Sequence, residues 1–405
     1  MSTRFSFLLR LPVIMLIAHV YVAGRLAAGM DAPTARAGVL AGLTLSYALI
    51  LAGFFKRRAT GQTFGNVVAW AGFLCLGMFS WLFVLSAIRD ALLLAGTVVT
   101  GVYRLVATEA SLAELTALVI HEGLPWLGEF RSFSAILVPA LALVATVVGF
   151  HFARRTPPVK DVEIRLPQLP AALEDFRIVQ LTDMHVGPTI RRGRVERMVA
   201  AANRLDAHIV ALTGDLVDGT VNELRPHVEP LSRLRAAYGV YAVTGNHEYY
   251  SGALPWIAEW RRLGMRVLCN EHVVIHHNGA DILLAGINDY SAGAFDHHHA
   301  SNPQEALHGA PSHAALRIML AHQPRSATAV EASGFDLQLS GHTHGGQFWP
   351  WNHFVRLQQP FVAGLHQLGR LHIYISRGCG YWGPPLRLGA PAEITLIRLA
   401  RKHPA

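Results

Sequence analysis

Long apolar runs and short ones divide this chain. Ala37–Phe55, Val67–Ile88 and Ser132–Ala153 carry no charge, and each ends at charged residues: Lys56, Arg57 and Arg58; Arg89 and Asp90; Arg154 and Arg155. Each has roughly the 20 residues an α-helix needs to cross the bilayer core. Phe5–Ala23 has the same character apart from Arg10, whose long stem snorkels from near one end. Its rival reading is a signal peptide, because a short apolar stretch follows Arg4 and Arg10. Ala91–Tyr103 is apolar but short, and reads as a fifth span, a re-entrant piece or an interfacial helix.

After Pro157-Pro158 the apolar runs shorten. Arg177–Leu181, Ile209–Leu212, Val240–Val243, Ile282–Ala285, Ile318–Leu320, Leu337–Leu339, His372–Ile375 and Ile394–Ile397 are rich in β-branched residues and lie near Gly, Asp or Asn. They are too short for helices and predict strands. Helical periodicity at Val195–Leu205 and Trp256–Leu263 falls between them. Strands alternating with helices predict an α/β sandwich. The expected organisation is a transmembrane helical domain over 1–155, with four or five spans, and an α/β domain over 156–405.

Composition sharpens this division. Of 405 residues, 52% are hydrophobic and only 15% charged, against about 25% charged in an average soluble domain. The net charge of +8 would ordinarily suggest nucleic acid or a membrane surface. Residues 1–155 hold 12 basic and 6 acidic side chains, so most of the excess borders the apolar runs. The remainder is nearly balanced and has no long basic run, so no nucleic-acid partner is expected. Four spans with a cytoplasmic N-terminus put Lys56–Arg58 and Arg154–Arg155 in the cytoplasm and the acidic stretch of Glu109, Glu114, Glu122 and Glu129 outside. This follows the positive-inside pattern, although Arg25 and Arg36 run against it. It favours a cytoplasmic second domain in a multi-pass membrane protein; a fifth span would export that domain. Cys75, Cys269 and Cys379 form neither a disulfide framework nor a zinc-finger spacing.

Nineteen of the 22 histidines lie in the second half, and several sit at strand tips. Five apolar runs each lead into a polar motif: Thr182-Asp183-Met184-His185, Thr213-Gly214-Asp215, Thr244-Gly245-Asn246-His247-Glu248, Ala321-His322 and Gly341-His342-Thr343-His344. Asp, Asn and His are oxygen and imidazole donors for divalent Mn, Fe, Zn or Co. The Asp-x-His and His-x-His spacings put both members on one side of an extended segment. Glycines before Asp215, Asn246 and His342 would let the chain turn without Cβ strain. Seven donors exceed the needs of one tetrahedral ion, and two ions sharing a carboxylate would use them, as in two-metal cleavage of phosphate esters.

In this order and spacing the five motifs resemble the calcineurin-like metallophosphoesterases. The flanking Gly345-Gly346-Gln347 and the closing Ser376-Arg377-Gly378 and Gly383-Pro384-Pro385-Leu386-Arg387-Leu388 are similar to the membrane-attached bacterial branch. The resemblance runs from about Asp161 to Leu399, with Cys379 in place of an apolar residue. It implies a four-layer α/β/β/α sandwich and two divalent cations, manganese first, with iron, zinc or cobalt as alternatives. Asp183, His185 and His344 would bind the first cation, and Asn246, His322 and His342 the second. Asp215 would bridge them, and His247 would be the catalytic histidine that is not a ligand.

The implied activity is metal-dependent hydrolysis of a phosphate ester by a metal-bridging hydroxide, at a membrane lipid bilayer, with lipid-linked phosphates among the candidate substrates. A UDP-2,3-diacylglucosamine pyrophosphate hydrolase of lipid A synthesis is the alternative within that class. A non-catalytic membrane sensor is the alternative outside it. Asp218 and Glu248 read as hydrogen-bonding supports and His297–His299 as a solvated loop. Trp349 and Trp351 read as cleft-lining, interfacial or packing residues.

Overall fold

A computed structural model describes residues 2–55, 62–107 and 125–402. It divides into two compact units, Met1–Val148 and Gly149–Ala405.

The first unit is built from α1 (Ser2–Ala27), α2 (Pro33–Phe55), α3 (Gln62–Ala107) and most of α4 (Pro125–Arg154). All four are long and apolar enough to cross a membrane. Arg89 and Asp90 do not end a helix, contrary to the sequence reading. α3 runs through them for 46 residues and absorbs Ala91–Tyr103. The reason is pairing between helices. Arg89 donates to Ser134 Oγ (2.6 Å) and to the carbonyls of Arg25 (2.7 Å) and Arg131 (3.0 Å). Asp90 accepts from Arg25 (2.7 Å) and Tyr21 (2.8 Å). Charges satisfied in this way are tolerated among apolar helices. Lys56–Arg58 and Glu109, Glu114 and Glu122, which carry much of the orientation argument, lie outside the described residues.

The second unit contains two six-stranded mixed sheets. One has the order β1 (Val159–Leu166), β12 (Ile394–Arg401), β2 (Arg177–Leu181), β3 (Ile209–Thr213), β4 (Val240–Val243), β5 (Arg266–Val267). The other has the order β10 (Gly364–Leu368), β11 (Leu371–Ile375), β9 (Leu337–Ser340), β8 (Leu316–Leu320), β7 (Ala280–Gly286), β6 (Glu271–His277).

Three apolar clusters account for the layering. Ile178, Ile209, Val243, Ile282, Ile318 and Leu339 fill the space between the sheets. Val179, Val210 and Leu212, on the opposite face of the first sheet, pack on Val195 and Met198 of α5 (Arg192–Asn203) and on Trp256 and Trp260 of α8 (Ala253–Arg262). Leu283, Met319 and Ile373, on the outer face of the second sheet, pack on Ala327 and Val330 of α9 (Ala327–Ala332). Strands buried on both faces read as continuous apolar runs, which is why β2, β3, β8 and β9 were legible. The result is helix, sheet, sheet, helix, as the resemblance implied. β2, β3 and β4 run parallel, as do β7, β8 and β9, so the C-terminal ends within each set point the same way.

Candidate functional site

The motif residues leave those C-terminal ends in an unusual backbone. Asp183 (φ 53°), His185 (φ 50°), Asp215 (φ 53°), His342 (φ 71°) and His344 (φ 53°) are all left-handed. Non-glycine residues adopt this region at a cost of order 1–3 kcal/mol each, and the surrounding structure must hold them there. The two x-spaced pairs therefore reach one side through left-handed turns, not the extended backbone expected from the spacing. Of the three glycines expected to turn freely, Gly214 alone has a positive φ (88°). Gly245 and Gly341 serve close approach: a Cβ there would lie 2.2 Å from Asp215 Oδ1 and Asp183 Oδ2, respectively.

Two donor groups result. Asp183, His185 and His344 converge, with His185 Nε2 2.9 Å from His344 Nε2 and His344 Nε2 3.4 Å from Asp183 Oδ1. Asp215, His322 and His342 converge, with His322 Nε2 3.0 Å from Asp215 Oδ2 and 3.2 Å from His342 Nδ1. A third grouping of His185, Asp215 and His247 links them. Asn246 is buried, and its Oδ1 has no hydrogen-bond partner. An orphaned buried carbonyl oxygen is costly unless something binds it. The oxygen and nitrogen donor set suits a divalent cation, so these residues fit the metal ions that the resemblance implies.

Ring orientation supports this fit. His185 Nδ1 faces Asp218 Oδ1 (3.1 Å), and His322 Nδ1 faces the Thr213 carbonyl (2.8 Å). Both partners only accept, so each Nδ1 carries a proton and each Nε2 is aimed at the site. Burial lowers the pKa of His322, but Asp215 outweighs it and raises it well above the ordinary range, so its Nε2 also carries a proton toward Asp215 Oδ2, in the place a cation would take. Burial and the neighbouring His322 push His342 down to about 3, and burial with Arg387 and His185 holds His344 well below the ordinary range. Both are thus neutral. Arg387 can only donate, so His344 Nδ1 accepts and its Nε2 carries the proton toward His185 Nε2, which a cation would displace. Burial opposes ionisation of Asp215, but His322 and His247 hold its carboxyl well below the usual range.

His247 differs from the other motif histidines. Its Nδ1 is 2.5 Å from Asp218 Oδ1, its backbone N–H donates to Asp215 Oδ1 (2.8 Å), and its Nε2 stays 3.9 Å from Asp215 Oδ2. Burial lowers its pKa, but Asp215 and Asp218 outweigh that and raise it to about 9. Asp218 is therefore shared between His185 and His247, the supporting role expected of it.

Glu248 is a second support. Its carboxylate accepts from the backbone N–H of Gly245 (2.7 Å), Leu216 (2.8 Å) and Asp215 (3.0 Å), tying two motif loops together. In Glu248→Gln, an amide N–H must face one of these donors. We expect a loss of about 1–3 kcal/mol in stability, the cost of an unsatisfied buried donor. Thermal unfolding of the detergent-solubilised chain would measure it, and an unchanged midpoint would refute the role.

Sequence reasoning gave Arg387 no role. It is buried at 1% exposure, and its Nη2 lies 2.8 Å from His344 Nδ1. Its remaining donors reach the carbonyls of His344, Gly380, Arg377 and Ala390. A basic residue inside the otherwise apolar Gly-Pro-Pro-Leu-Arg-Leu stretch was the available signal. Among the described residues, His297–His299 contribute to none of the donor groups, and His299 Nδ1 lies 3.1 Å from the Tyr249 hydroxyl. Cys379 is buried in the apolar cluster behind the first sheet.

A cavity of about 490 Å³ opens beside Asn246 and His342. Its other walls carry Tyr250, Tyr290, Gln323 and Arg325, and the Arg325 guanidinium lies 5.1 Å from the Tyr290 ring centre.

A two-sheet α/β sandwich with carboxylate, amide and imidazole donors gathered at its strand tips defines a metallophosphoesterase-type domain. A family model described as calcineurin-like phosphoesterase matches residues 176–346. The chain is 40% identical over 279 residues to the transmembrane protein with metallophosphoesterase domain of Bos taurus, covering 65% of this chain and 62% of that protein. It is 38% identical over 259 residues to an uncharacterized metallophosphoesterase of Helicobacter pylori, covering 64% and 68%. It is 33% identical over 273 residues to an uncharacterized metallophosphoesterase of Aquifex aeolicus, covering 67% and 99%. The chain belongs to the calcineurin-like metallophosphoesterase family. It matches about three-fifths of the length of the Bos taurus relative.

Proposed function

We propose that this chain is a membrane-anchored phosphoesterase with a binuclear metal centre. Asp183, His185 and His344 hold one cation, Asn246, His322 and His342 hold the other, and Asp215 serves both. The observation that carries this reading is the pair of donor groups joined through Asp215, beside a buried Asn246 oxygen with no partner. Bound divalent cations would supply Lewis acidity toward phosphoryl oxygens and a bound water of lowered pKa.

The protein's own groups do the rest. Asp218 and the Thr213 carbonyl fix the tautomers of His185 and His322. Asp218 also turns His247 so that its Nε2 can deliver a proton to the leaving oxygen. The cavity receives the remainder of the ester. Its amide and tyrosine lining suits a polar, hydrogen-bonding group next to the scissile phosphate, and Arg325 suits a second negative charge. The apolar N-terminal helices favour a lipid-linked substrate, and UDP-2,3-diacylglucosamine fits that description.

The test is metal removal. Chelator treatment is expected to abolish hydrolysis of an aryl phosphodiester, and Mn²⁺ to restore it. Elemental analysis is expected to find about two ions per chain, as a bridged site requires. Activity that survives exhaustive chelation would overturn the proposal.

A further inference from the structure

We propose that residues 349–357, together with Trp382, form a docking surface that seats the mouth of this site on an anionic lipid bilayer. The motif loop Gly341–Gln347 runs straight into a segment whose large apolar side chains are partly exposed. Trp349 is 40% exposed, Trp351 36%, Phe354 53% and Leu357 82%. Trp382, 52% exposed, is tied by its backbone to Gln347, two residues before Trp349. Its backbone N–H donates to Gln347 Oε1 (2.8 Å), while the Trp349 N–H donates to the Leu388 carbonyl (3.0 Å). Exposed apolar groups gathered in one place mark an interaction surface, whereas scattered ones need no explanation.

This surface is built onto the site. Gly346 passes so close to α10 (Trp351–Phe354) that a Cβ on it would lie 2.1 Å from Asn352 Cα. At the far end of the segment Gln358 and Gln359 line the cavity, and the Trp382 ring lies 6.0 Å from the ring of His247.

Two observations identify a bilayer as the occupant. First, the composition is that of an interfacial anchor, with tryptophan and phenylalanine beside an exposed arginine, Arg356. Second, no Asp or Glu occurs between Asp336 and Glu393, so no carboxylate in that stretch of chain repels an anionic headgroup. Docking does not depend on catalysis. Presentation of a phosphate ester from the headgroup layer to the cavity rests on the phosphoesterase reading.

Fluorescent labelling tests the docking. The full chain, with Cys75→Ser and Cys269→Ser and with Cys379 left buried, carries a bimane label at either Leu357→Cys or His276→Cys. His276 is exposed beside the β6–β7 turn, at the end of its sheet opposite the motif tips. Both proteins are reconstituted into phosphatidylcholine–phosphatidylglycerol vesicles containing a lipid with a nitroxide near the headgroup. The expected result is severalfold stronger quenching at 357 than at 276. It should weaken in pure phosphatidylcholine and with Arg356→Glu. Equal quenching at the two positions would overturn the proposal. So would a blue shift at 357 that grows with protein density and is insensitive to the nitroxide, since a second copy of the chain would then cover the surface. Turnover of a soluble aryl phosphodiester by the same vesicles reports on the phosphoesterase reading separately.

Discussion

Asp215→Asn is expected to lower turnover of an aryl phosphodiester by about 10³-fold or more while leaving the fold intact. The side chain keeps its size but loses its charge and one acceptor. Asp215 belongs to two donor groupings, whereas Asp183 belongs to one. Its Oδ2 faces His322 Nε2 at 3.0 Å and its Oδ1 accepts the His247 N–H at 2.8 Å. An amide nitrogen at the first position would oppose the Nε2–H of the charged His322. At the second it would oppose the His247 N–H. A binuclear centre loses the bridging charge with either orientation. Metal-derived charge stabilisation is worth several kcal/mol, and about 1.4 kcal/mol corresponds to a factor of ten in rate. Steady-state kinetics with added Mn²⁺, metal analysis and far-UV circular dichroism together check the prediction. Near-wild-type turnover by a folded variant would remove the basis for the bridging role.

The sequence foretold the interior of the second unit and missed its borders. The eight runs assigned as strands correspond to β2, β3, β4, β7, β8, β9, β11 and β12, every one of them interior to its sheet. The four not foreseen, β1, β5, β6 and β10, are the four edges. The physics explains both outcomes. An interior strand is covered on both faces and reads as an apolar run. An edge strand carries charges and polar residues that discourage pairing with other chains, as in Val-Lys-Asp-Val-Glu-Ile-Arg-Leu of β1 and Gly-Leu-His-Gln-Leu of β10.

A similar limit applied at the strand tips. Residue types and spacing singled out seven candidate donors, and the resemblance added His247; six of the seven fall into the close groups, and Asn246 is buried with an orphaned oxygen. Their left-handed backbone was not foreseen, because it is imposed by tertiary bonds such as those from Glu248 to three amides of two loops. Arg387 escaped notice for the same reason. It lies more than forty residues along the chain from His344, and only the fold brings them together. In the first unit Arg89 and Asp90 looked like a helix end because their partners, Arg25, Ser134 and Tyr21, come from other helices.

His247→Gln is expected to separate the two roles open to this histidine. As a proton donor it contributes roughly 10²–10⁴-fold to turnover. Its geometry favours that role. Asp218 holds Nδ1 at 2.5 Å and, against the burial that lowers the pKa, its charge favours the protonated ring. With 13% side-chain exposure it is more open than His322 or His185. Glutamine preserves a polar end but has no proton to give. The loss should therefore be large for an alkyl phosphate ester, whose leaving oxygen needs protonation, and smaller for a 4-nitrophenyl ester, whose leaving group departs as an anion. Metal content should stay at the wild-type value. The grouping of His247 with His185 and Asp215 supplies the opposing case. If His247 were a ligand, the variant would lose an ion, and both esters would slow by the same factor. Leaving-group dependence and metal content measured on one preparation thus decide whether this histidine moves a proton or holds a cation.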